Sequence, residues 1–82
     1  PILLRFRQDF LPKEEALRTA ALERGYQIAG SSLTISASGG HQEWRFVALA
    51  LSRHNRATLT ELAAELAAFE GVEGFQLSHA RN

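Results

Sequence analysis

Residues 2–10 open on an alternation that puts Ile2, Leu4 and Phe6 on one side and Leu3, Arg5 and Arg7 on the other, the period of a strand half-buried against a core. Asp9, Phe10, Leu11 and Pro12 then lead into a predicted helix running to about Arg24. Pro12 suits a first helical turn, and Glu14 and Glu15 lie near the positive end of the helix dipole. The apolar stripe of this helix is Leu17, Ala20 and Ala21, and Gly25 is placed to cap its end.

Gly30, Ser31 and Ser32 loosen the start of a second strand, in which Leu33, Ile35 and Ala37 alternate with Thr34, Ser36 and Ser38. Ser38-Gly39-Gly40-His41 reads as a hairpin turn, because adjacent glycines accept the positive φ values of tight connections. A third strand over residues 43–52 carries Trp44, Phe46, Ala48 and Ala50 on one face and Val47, Leu49 and Leu51 on the other, so it is apolar on both. After a polar loop of Arg53, His54, Asn55 and Arg56, Thr58 and Glu61 form a capping box at the head of a second helix. Leu59, Leu62, Ala63, Leu66 and Phe69 recur there at helical spacing, with Leu66 at the centre, and Gly71 ends the helix. Phe75 and Leu77 mark a short last strand, after which Ala80, Arg81 and Asn82 are expected to fray.

The order strand, helix, strand, strand, helix, strand predicts an α+β, ferredoxin-like (ACT-like) domain over residues 1–82. Right-handed crossovers would set both helices on one face of a four-stranded antiparallel sheet, with the first and third strands in the middle. The other face is then open. Trp44, Phe46 and Ala48, together with Arg5 and Arg7 of the first strand, are the expected interaction surface, and a homodimer through that face or an edge strand would cover its apolar part. Were the third strand turned the other way, Val47, Leu49 and Leu51 would carry the outward patch.

With 82 residues and no cysteine, the chain has room for one domain and one core, unaided by disulfides. Lys and Arg number 9, equal to Asp and Glu, and a balance of this kind argues against a surface dedicated to nucleic acid or anionic lipid. The chain begins at Pro1 and contains no Met, which suggests a domain cut from a longer protein, and its longest apolar run, residues 46–51, is too short to span a membrane.

Candidate chemistry is sparse. His41, His54 and His79 lie apart and lack metal-ligand spacing, the serines lack an elbow motif, and the pairs Glu14/Glu15 and Glu61/Glu65 read as solvated helix faces. No catalytic residue, cofactor or metal is therefore expected. The aromatics of the third strand resemble those of an RNA recognition motif, yet Gln42 and Glu43 stand where that motif has a basic residue and Gly. The loop after the first strand resembles the effector loop of ACT domains in Asp9 and Pro12 but has no Gly, which leaves amino-acid sensing as an alternative function.

Trp44-Arg45-Phe46-Val47-Ala48-Leu49, Leu59-Thr60-Glu61-Leu62 and Phe69-Glu70-Gly71-Val72-Glu73-Gly74-Phe75 resemble the C-terminal cytosolic ACT-like domain of the MgtC/SapB family of bacterial inner-membrane proteins. The resemblance spans essentially the whole chain and rests on packing patterns. It implies a regulatory or protein-interaction domain, not an enzyme, on the cytoplasmic side of the inner membrane. The parent would be linked to magnesium limitation, and its membrane-spanning part would be a partner beside a second copy of the domain.

Overall fold

The computed structural model describes residues 1–79, so the predicted fraying of residues 80–82 lies outside the described residues. In chain order the elements are β1 (Ile2–Phe6), α1 (Glu14–Glu23), β2 (Tyr26–Ile28), β3 (Thr34–Ser38), β4 (His41–Phe46), β5 (Ala48–Ala50), α2 (Leu59–Ala68) and β6 (Val72–Leu77). Four strands form an antiparallel sheet in the order β3-β4-β1-β6, and β2 pairs with β5 in a separate two-stranded sheet.

The third predicted strand is broken into β4 and β5, and an additional short strand, β2, precedes the second. Ile28 pairs with Ala48 and Thr34 with Arg45, so five residues (29–33) lie opposite only two (46–47). The excess is accommodated where the Ala29 N–H donates to the Val47 carbonyl at 2.9 Å and the Ser32 hydroxyl accepts from the Val47 N–H at 3.0 Å. Gly30, Ser31 and Ser32 supply the small, polar residues such an irregular stretch needs, and Tyr26 to Ile28 form a short strand where none was predicted. The hairpin turn stands as predicted: Gly39 and Gly40 have φ of 59° and 81°, between the paired Ser38 and His41.

Helix α2 begins on the predicted capping box, in which the Glu61 N–H donates to Thr58 Oγ1 at 3.2 Å and the Thr58 N–H donates to Glu61 Oε1 at 2.8 Å. Helix α1 starts at Glu14, two residues after Pro12, and its N-cap residue Lys13 makes no side-chain cap bond. The core gathers Ile2, Leu4 and Phe6 of β1, Trp44 and Phe46 of β4, Leu17 of α1, Ile28 of β2 and Leu66 of α2. Both helices thus pack on the sheet face that carries the aromatics, and an ion pair of 2.8 Å from Arg24 to Glu65 joins them at the surface.

That placement corrects the expected surface. Trp44 and Phe46 are 3% and 4% exposed, and Ala48 is half-buried against the core. The reason is register: Phe46 lies opposite Ile2 and Trp44 opposite Leu4, so the alternation of β1 carries the β4 aromatics to its own buried side. Phe6 meets the Trp44 ring edge-on at 5.6 Å, and the indole N–H donates to Gln42 Oε1 at 2.9 Å. Leu49 and Leu51 point outward instead, 54% and 56% exposed.

Candidate functional site

On the sheet face away from the helices, the residues of β1 that alternate with its core positions meet polar neighbours. Arg5 lies opposite Glu43 of β4 and Gly74 of β6. The pairing of β1 with β6 then slips, Phe6 facing Val72, which leaves Glu73 without a partner in the ladder. Its carboxylate turns to Arg5, accepting from Nε at 2.7 Å, while Glu43 accepts from Nη1 at 3.2 Å. His41 Nδ1 lies 3.2 Å from the same Glu73 carboxylate and 3.0 Å from the Phe6 carbonyl oxygen. Glu73 first, and Glu43 after it, hold the Arg5 pKa above its ordinary value. Both carboxylates are engaged by Arg5, so the cluster presents an ion-paired, partly exposed polar surface. The open face is polar where the sequence led us to expect apolar residues.

The five predicted surface residues do not come together. Trp44, Phe46 and Ala48 are on the covered side, Arg5 sits at the centre of the open face, and Arg7 lies beyond the end of β1 with its guanidinium carbon 4.7 Å above the Phe10 ring.

A second feature was not legible from the motifs. The loop after β5 folds back on the end of α1: the Leu51 N–H donates to the Gly25 carbonyl at 2.9 Å, the Ala57 N–H to the Arg24 carbonyl at 2.9 Å, and the Tyr26 hydroxyl to the Ala57 carbonyl at 2.7 Å. Gly25, at φ 87°, permits this approach, since a Cβ there would overlap the Asn55 carbonyl oxygen and stand 2.9 Å from the Arg56 Cα. The fold-back leaves an open cleft of about 620 Å³ between the loop, the head of α2 and the outer ends of β1 and β6. Arg53, His54 and Arg56 contribute to its rim, and Ile2, Leu62 and Leu77 to its apolar lining. Only the polar character of residues 53–56 hinted at it.

Among the described residues, no three His, Asp or Glu side chains are placed to share a metal ion, and no helix is long and apolar enough to cross a membrane. The class these observations define is a small α+β domain with a polar open sheet face and one cationic cleft. Compared with protein-family models, curated proteins and solved structures, the chain matches none.

Proposed function

We propose that the protein is a non-enzymatic regulatory or interaction domain of ferredoxin-like type. It would act as a homodimer, in the role implied by its resemblance to the cytosolic tail of MgtC/SapB membrane proteins. The strand order, with β1 and β4 inside and both helices on one face, is compatible with that topology once β2–β3 and β4–β5 are each taken as one interrupted strand. The observation that carries the interaction reading is the β3 edge. All five of its residues are exposed, and none is charged or a proline, so no charge or proline on the strand itself keeps this edge from pairing.

A two-fold axis at Ser36 would pair β3 with itself. Ser36 would face the partner's Ser36 and Ile35 the partner's Ala37, with no charge opposed and the half-exposed Ile35 covered. Sedimentation velocity at rising protein concentration tests this. A dimer at hundreds of micromolar that dissociates on Ser36→Lys is expected, because the substitution sets two cations against each other. A wild-type monomer at that concentration, or a dimer indifferent to Ser36→Lys, would overturn it. For the parent, several apolar segments of about 20 residues encoded upstream are expected. An upstream soluble enzyme domain would favour the amino-acid-sensing alternative.

A further inference from the structure

Going beyond the interaction reading, and not resting on it, we propose that the cleft at the head of α2 is a binding site for a small phosphorylated molecule with a partly apolar body. Its volume of about 620 Å³ lies in the range of small-molecule sites. Of the residues lining it, Arg53 and Arg56 are cationic and none is Asp or Glu, although acidic and basic residues are equally numerous in the chain. Neither Arg53 nor Arg56 has an ion-pair partner among the described residues, a state they share with Arg7 and Arg45, but of these four only Arg53 and Arg56 line the cleft. Two unpaired guanidinium groups on one rim suit the bidentate geometry of a phosphate.

The surroundings favour the same ligand. Leu59 and Thr60 occupy the first two positions of α2, where backbone N–H groups have no intrahelical acceptor, and Leu59 lines the cleft. The nearest carboxylate of that helix end, Glu61, is turned back onto the Thr58 N–H and does not line the cleft. Ile2, Leu62 and Leu77 offer an apolar floor beside this anionic position, which suits the body of the molecule better than a free inorganic ion. The loop bearing the arginines is tied to α1 and β2 by three hydrogen bonds, so the rim is already formed.

The test is an NMR titration of the whole 82-residue chain with three probes: inorganic phosphate, adenosine and AMP. Saturable shifts confined to residues 51–60 and the ends of β1 and β6 are expected, with AMP binding more tightly than phosphate and adenosine weakest. Arg53→Gln and Arg56→Gln should each weaken AMP by about tenfold or more, the loss of one charge-assisted contact, while the urea midpoint stays near wild type. Because both side chains are exposed, these variants keep the fold. Ala50 also lines the cleft, and Ala50→Phe, which adds bulk there, should reduce AMP binding more than phosphate binding. Absence of saturable shifts with AMP and phosphate alike, shifts that map to the open sheet face, or AMP affinity unchanged in both arginine variants would each overturn the proposal.

Discussion

Gly71→Ala tests how the chain is closed around the end of α2. Gly71 is buried at φ 86°, and its carbonyl accepts from the Arg7 N–H at 2.7 Å, tying the start of β6 to the end of β1. Phe10 lies flat on it: a Cβ at residue 71 would overlap the ring edge and stand 2.6 Å from its Cγ. Two penalties follow. The left-handed backbone costs a residue with a Cβ about 1–2 kcal/mol. Displacing a packed ring costs about 1–3 kcal/mol more. Phe10 cannot shift freely, because it stacks on Phe6 at 5.8 Å and lies under Arg7. The total of about 2–5 kcal/mol compares with about 4–12 kcal/mol for a domain of this size, and corresponds to a drop in Tm of at least about 10 °C. Urea melts followed by the fluorescence of Trp44, the sole tryptophan and a buried one, measure it directly. The decisive arm is a double-mutant cycle with Phe10→Ala, in which the ring is gone and Gly71→Ala should cost only its backbone part. An equal cost in both backgrounds would refute the ring contact as a cause, and a cost below about 0.5 kcal/mol in wild type would refute the whole account.

Three further outcomes are expected. Leu66→Ala should cost about 2–5 kcal/mol in the same melts, since Leu66 is buried in the shared core, while the exposed Arg56 should change stability by about 0.5 kcal/mol or less when made Ala. Thr58→Ala should cost about 1 kcal/mol through the lost cap. The Thr58 backbone N–H, then its side chain, hold Glu61 below its ordinary pKa of 4.5, so its contribution is present above that value and lost as pH falls through the lower folded value. Melts across that acid range should show Glu61→Gln, which keeps the hydrogen bond without the titration, with a shallower decline than wild type. Arg5→Ala should lower the urea midpoint only slightly, because both its ion pairs are partly exposed, and the difference should shrink in high salt.

The local pattern determined a good deal by itself. The capping box of Thr58 and Glu61 and the glycine hairpin depend on residues within a few positions of each other, so short-range chemistry suffices to specify them. Alternation also determined which side chains share a side: Trp44, Phe46, Ala48 and Ala50 together, Val47, Leu49 and Leu51 together. Which side faces the helices was decided only by tertiary structure. A strand apolar on both faces satisfies its own pattern either way, and the choice came from pairing Trp44 with Leu4 and Phe46 with Ile2, 40 and 44 residues away in the chain. The same long-range register made the three-residue mismatch between residues 29–33 and 46–47 and released Glu73 to Arg5. The cleft is likewise tertiary, because Arg53 and Arg56 become its rim only when Gly25, some 30 residues earlier, lets their loop close on its backbone.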